Sequence, residues 1–205
     1  MRPLRPATIH VAFFLSGGAA VIYQLVWQRA LVTVFGADVE MVTIVVTAFM
    51  AGLGLGSLAG GVIARRASMR LPLAFAVIEF GVAAWGLASL FIIRQLGTMT
   101  VGASELTAAL AVFAALLVPT VLMGATLPIL VQHEVRQKTT VGRAVGGLYA
   151  SNTFGSAAGA LAAILVILGA FGQQGSVRMA ALLNVSVAFI VLWRSRATPG
   201  PASTE

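Results

Sequence analysis

A chain of 205 residues that is 59% hydrophobic and only 9% charged, with a mean hydropathy of +0.98, is not an ordinary soluble domain; such a domain carries about 25% charged residues. The net charge of +7 does not point to nucleic acid, because Arg and Lys sit in short intervals between apolar runs rather than along one amphipathic face. There is no cysteine, which excludes disulfides, thiolate chemistry and cysteine metal sites.

Residues 1–7, with Arg2, Arg5 and two prolines, form a short basic leader. The apolar run that follows, about 8–34, begins like a signal peptide and passes Ser16-Gly-Gly-Ala-Ala20. It continues well beyond a signal core, so it reads as a span. Further apolar segments cover about 40–64, 72–94, 105–132, 144–169 and 177–193. Each exceeds or approaches the ~20 residues that cross a bilayer. The expected fold is an all-α integral membrane bundle of six spans. Residues 194–205 read as a disordered cytoplasmic tail or a truncated linker.

The second segment carries the densest pattern. Ala48, Gly52, Gly56 and Gly60 recur every four residues and make one small-residue stripe. In lipid such a stripe lets another helix backbone approach closely. In a soluble helix each glycine would cost about 1 kcal/mol relative to alanine. The stripe runs into a basic cluster of Arg65, Arg66 and Arg70, expected on the cytoplasmic side.

Orientation follows from the remaining charges. Arg2 and Arg5, then Arg65, Arg66 and Arg70, then Arg136, Lys138 and Arg143, then Arg194 and Arg196 fall on one side, ten of the thirteen basic residues. Asp38, Glu40 and Glu105 fall on the other. The positive-inside bias then puts both termini in the cytoplasm, in a multi-pass protein of the cell membrane. An internal echo links the two halves. Gly56-Ser-Leu-Ala-Gly60 resembles Gly155-Ser-Ala-Ala-Gly159, and Ser151, Gly155, Gly159 and Ala163 make a second small-residue stripe. Segments one to three would correspond to four to six as inverted repeats; the alternative is a chance match in a chain rich in Gly and Ala.

Two features resemble known families. The glycine-rich second segment ending in Arg65, Arg66 and Arg70 resembles the loop signature of the major facilitator superfamily, with Ala64 where that pattern usually has Asp. More specific are four blocks in order. They are Phe13-Phe-Leu-Ser-Gly-Gly-Ala-Ala-Val-Ile-Tyr23-Gln24-Leu-Val-Trp27-Gln28-Arg29, Phe49-Met-Ala-Gly-Leu-Gly-Leu-Gly-Ser-Leu-Ala-Gly-Gly61, Pro119-Thr-Val-Leu-Met-Gly-Ala-Thr-Leu-Pro128 and Tyr149-Ala-Ser-Asn152-Thr-Phe-Gly155. Together they resemble the amino-terminal membrane module of spermidine synthase-like fusion proteins, over nearly the whole chain. Gln24 stands where that family often has Glu. The resemblance implies a bundle laid out like half of a major facilitator transporter. It also implies a soluble aminopropyltransferase-like domain, which this sequence does not contain.

The residues agree with that absence. Such a domain needs a glycine-rich loop after a strand for its nucleoside cofactor and carboxylates for a cationic amine. The single Asp is Asp38, and Gly52, Gly54 and Gly56 lie inside a span. Neither a cofactor, a metal nor a catalytic residue is expected in this chain. His10 and His133 stand alone near span ends, and His133, Glu134, Arg136 and Lys138 read as a solvated cytoplasmic loop or a docking surface.

Glu79 is the carboxylate well inside a span, about 6 Å to the cytoplasmic side of the midplane at 1.5 Å per residue. A charge there is paired, protonated or functional. Glu79 and Asn152, with Tyr149 nearby, are expected to line one polar pocket that takes a cation or a proton; the alternative is a buried hydrogen bond between helices. Gln24 and Gln28, four apart on one face, are either helix-packing amides or ligand-facing groups. Tyr23 and Trp27 read as packing residues and Arg29 as a snorkelling side chain. Pro119 and Pro128 are expected to kink segment four, with Thr120 and Thr126 satisfying the freed carbonyls.

Three roles fit these residues. One is an anchor or partner subunit for a separate cytoplasmic aminopropyltransferase-like enzyme. Another is a half-size transporter of polyamine-like or other small organic solutes, working as a homodimer. The third is a structural membrane protein.

Overall fold

A computed structural model describes residues 4–36, 39–66 and 70–196, with the side chains of 39–41 also outside the described set. Arg2, Asp38, the side chain of Glu40 and the tail 197–205 lie outside the described residues. The elements are α1 (Pro6–Phe35), α2 (Val39–Arg66), α3 (Leu71–Met99), α4 (Glu105–Arg136), α5 (Val141–Ala162) and α6 (Leu168–Arg196). A π-helical turn, Ala163–Ile167, joins α5 to α6. Five continuous helices are long and apolar enough to cross a membrane, the last being Val141–Arg196. These are the features of a multi-pass membrane protein.

Local chemistry sets the helix ends. α1 and α3 open with a proline in the first turn, where the missing N–H costs no helical bond. Ser104 caps α4 by accepting from Thr107 N at 3.3 Å, with Glu105 in the first turn. Arg65 and Arg66 end α2, where cations meet the negative end of the helix dipole.

The expected interval between segments five and six is not a loop. Helix continues through it and is broken at Gly172, with φ 61° and ψ −171°, a conformation that side chains disfavour. The chain folds back there. Ser156 Oγ donates to Gly17 O at 3.2 Å, while Asn184 Nδ2 donates to Glu79 Oε2 at 2.6 Å, and Glu79 Oε1 accepts from Ser16 Oγ at 2.7 Å. Residues 156 and 184 thus flank the same turn of α1. A straight helix would hold them about 42 Å apart.

α1 is the central post and touches every other helix. It runs parallel to α5: His10 meets Ser151, and Gly18 meets Gly155 and Gly159. α2 runs parallel to α4 in the same way, from Gly52 on Thr120 to Gly60 on Ala125. Both pairs touch backbone to backbone. A Cβ at Gly60 would lie 2.5 Å from Ala125 O, and one at Gly159 would lie 2.6 Å from Gly18 Cα. Gly56 meets Val121 O and Gly155 meets Phe14 O with as little room. The extensive contacts also exchange in pairs: α2·α4 with α5·α1, and α1·α6 with α4·α3, while α3·α6 maps onto itself.

One end of the bundle collects charge. Leu4 N donates to His133 Nε2, His10 meets Glu134, and Arg136 Nη2 reaches Ala64 O. The start of α1, the ends of α2 and α4 and the start of α5 therefore lie together, carrying Arg5, Arg65, Arg66, Arg136 and Arg143. Glu105, at the start of α4, lies at the other end. The outer face is apolar, with Leu58, Phe91, Leu110, Phe154 and Leu182 exposed, which suits lipid and not water.

Candidate functional site

The two close-packed pairs leave a cavity of about 390 Å³ between them. α1 lines it with Phe13, Ser16, Ala20 and Gln24, spaced so that they share one face. α2 adds Phe49, Leu53 and Ser57, and α4 adds Met123, Gly124, Thr126 and Leu127. α5 completes the wall with Tyr149, Asn152 and Ser156. The glycines shape this space by bringing α5 onto α1 and α2 onto α4. At Gly17 even a methyl group would lie 2.6 Å from Asn152 Oδ1, so the glycine seats that amide.

Three of the five expected pocket residues, Gln24, Asn152 and Tyr149, stand on this wall. Glu79 does not. It is 1% exposed and sits behind the wall between α1, α3 and α6, on the buried stripe that includes Phe75, Val82 and Gly86. Its link to the cavity is Ser16, which lines the wall and donates to Glu79 Oε1. Asn152 and Glu79 thus meet α1 at neighbouring residues, Gly17 and Ser16, and only Asn152 lines the cavity. Gln28 is half-buried one turn along α1 and is not on the wall.

Sequence reasoning passed over Ser16 and Asn184. Ser16 is eight positions before Gln24, on the same stripe, and that spacing was the available signal. Asn184 is one of only two asparagines in the chain and lies inside the sixth predicted segment. An intramembrane amide is a natural partner for an intramembrane carboxyl group.

Other expectations need correction. His133 and Glu134 are not in a solvated loop; they are buried in the last turn of α4, 8% and 4% exposed. There Glu134 Oε1 lies 3.3 Å from His10 Nε2, and His10 Nδ1 lies 2.8 Å from Ser151 Oγ. Thr120 Oγ1 donates to Leu116 O at 2.8 Å and Thr126 Oγ1 to Met123 O at 2.6 Å. Pro119 and Pro128 free the carbonyls of Ala115 and Gly124 instead, four residues back. Tyr23 and Trp27 are fully buried and stacked at 5.3 Å, and Trp27 Nε1 donates to Ser89 Oγ at 2.8 Å. Gly52, Gly54 and Gly56 lie within α2, where backbone N–H groups serve the helix. Among the described residues no three His, Asp or Glu side chains converge as a metal site would require.

A polyamine aminopropyltransferase of Oceanobacillus iheyensis is 26% identical to the chain over 176 residues. The match covers 86% of this chain and 33% of that protein, so the chain spans about a third of the length of the curated relative it matches. It is a distant link to spermidine synthase-like proteins. No protein-family model matches the chain. No solved structure matches it.

Proposed function

We propose that the chain is a six-span membrane module, laid out like half of a major facilitator transporter, that holds a cytoplasmic aminopropyltransferase-like enzyme at the cell membrane. The observation that carries this reading is the stretch of similarity. The matched residues make up a third of a polyamine aminopropyltransferase, and here they form an apolar helical bundle with no strand among the described residues. The reversal at Gly172 supports six crossings. The paired exchange of helix contacts supports two inverted three-helix repeats. The basic end supports cytoplasmic termini. Exposed Arg65, Arg66, Arg70, Lys138 and Arg143 then form the face that meets the soluble partner.

A second reading, a homodimeric transporter of polyamine-like or other small organic solutes, is favoured by the cavity. Leu53, Ser57 and Tyr149 on its wall are exposed, so two copies meeting there would form a twelve-span assembly around a shared polar space. Mild solubilisation of native membranes followed by mass analysis separates the two. Co-purification with an aminopropyltransferase-like protein, lost when Arg65, Arg66 and Arg70 are changed to Glu, supports the anchor. A homodimer with no soluble companion contradicts the anchor and supports the transporter.

A further inference from the structure

We propose that the cavity takes the diacylglycerol part of an anionic phospholipid, which enters sideways between α2 and α5 with its phosphate held at the basic end. The inference rests on the membrane reading of the chain and not on its having an enzyme partner. The cavity opens at the level of the acyl chains. Its exposed wall residues are Leu53 and Ser57 on α2 and Tyr149 on α5, and α2 and α5 are not among the helix pairs in extensive contact. Ser57 precedes Arg65 by eight residues, and Tyr149 follows Val141, the start of α5, by eight. Both therefore stand about 12 Å in from the basic end at 1.5 Å per residue. Half of a bilayer's hydrocarbon core is about 15 Å. The opening thus faces acyl chains and not water, and a chain hung from the headgroup level reaches it.

The wall suits the uncharged middle of such a lipid. Among the described residues that line it, none is charged. Phe13, Val21, Phe49, Leu53, Met123 and Leu127 give hydrocarbon surface. The hydroxyls of Ser57 and Tyr149 and the amides of Gln24 and Asn152 can donate. Ester carbonyls are uncharged acceptors, so donors set among hydrocarbon meet both parts of an acyl ester.

The rim of the opening leaves room for a chain. On α2, Gly54, Ser57, Gly61 and Arg65 follow one another at steps of three and four, and on α5 Gly142, Gly146 and Tyr149 do the same, so each run forms one strip beside the mouth. These glycines do not serve the packing of the bundle. A Cβ at Gly54, Gly142 or Gly146 would meet nothing within 4 Å, and one at Gly61 would meet Arg65 Nη1 at 3.9 Å. Each costs about 1 kcal/mol relative to alanine in a helix interior, and the space each leaves opens outward. Arg65 lies back over its strip and makes no ion pair among the described residues. A guanidinium there is placed for a phosphate whose chains run along the glycines. Charge also favours a lipid over a second copy at the mouth. Two copies in one membrane would set basic end against basic end, each with exposed Arg65, Arg66 and Arg143, and like charges repel. An anionic headgroup brings the opposite sign.

The test uses the purified full chain in detergent, read by native mass spectrometry and thermal unfolding. The probes are dioleoyl phosphatidylglycerol, dioleoyl phosphatidylcholine and glycerophosphoglycerol, the first headgroup without its chains. Phosphatidylglycerol is expected to bind saturably, one per chain, and to raise the unfolding temperature by about 3–6 °C at ten times its dissociation constant. Phosphatidylcholine should bind at least about fivefold more weakly, and the chain-free headgroup should give no shift at the same concentration. Ser57→Trp and Gly146→Leu fill the mouth from opposite sides at exposed positions. Each should weaken phosphatidylglycerol at least about tenfold, and the second serves if the first does not fold. Arg65→Gln should bring phosphatidylglycerol down to the level of phosphatidylcholine. No saturable shift from phosphatidylglycerol, an equal shift from the chain-free headgroup, or unchanged binding in a folded mouth variant would each overturn the proposal. So would a lipid-free homodimer that a mouth variant turns into a monomer, because a second copy would then be the occupant. None of these readouts involves a soluble partner, so this proposal and the anchor role can fail separately.

Discussion

The seam between α2 and α4 and the seam joining α1, α3 and α6 hold the same bundle together by opposite means. The first works by leaving side chains out. Gly52, Gly56, Gly60 and Gly124 let two backbones touch, so dispersion and close packing hold helices that lipid does not drive together. The second works by filling and pairing. Tyr23 and Trp27 stack in the core, Trp27 bonds Ser89, and Glu79 is held by Ser16 and Asn184. A seam built from omission tolerates no added atom at all. A seam built from pairs does not tolerate the loss of a partner.

Substitutions at each seam sharpen that contrast. The largest effect is expected from Gly56→Leu, whose side chain has to enter the space held by Val121 and Gly124. It should cost about 3 kcal/mol or more, read as loss of monodisperse protein after solubilisation. Gly54→Leu, two residues away with open space around it, should stay within about 0.5 kcal/mol of the parent. Equal damage at both sites would remove the close-contact account of α2 and α4. Next, Asn184→Leu removes the amide that donates to Glu79 Oε2 and keeps the Ser16 hydrogen bond to Oε1, and should cost about 1–2 kcal/mol in thermal unfolding. A smaller effect, about 0.6–1 kcal/mol, is expected for Ser89→Ala, with a change in the near-ultraviolet circular dichroism of Trp27. The smallest is expected for Arg29→Gln, an exposed residue, within about 0.5 kcal/mol.

The same contrast decides what was legible in the sequence. Glycine spacing is local, so the stripe at Gly52, Gly56 and Gly60 and its echo at Gly155 and Gly159 could be read from one helix each. The starts of α3 and α4 were also legible, since the apolar runs begin at 72 and 105 and the helices at Leu71 and Glu105. The Glu79–Asn184 pair joins residues 105 positions apart, and nothing in either neighbourhood names the other. Depth alone put Glu79 beside Asn152. Rotation about the helix axis decided otherwise, because Glu79 shares its stripe with Phe75 and Val82, which face the core. His133 and Glu134 were misplaced for a related reason. A charged stretch after an apolar run looks like a loop, yet α4 extends through it to Arg136 and buries both side chains against the start of the chain.

The central claim, that the chain crosses the membrane six times with its basic end inside, is tested most directly by labelling single cysteines in intact cells. The natural sequence has no cysteine, so no background needs removing. Val101→Cys and Gln174→Cys should react with an impermeant thiol reagent from outside, while Arg70→Cys and Lys138→Cys should react only after the membrane is opened. Labelling of Gln174→Cys only from the inside, or its protection on both sides, would contradict the account, because Val141–Arg196 would then not cross twice.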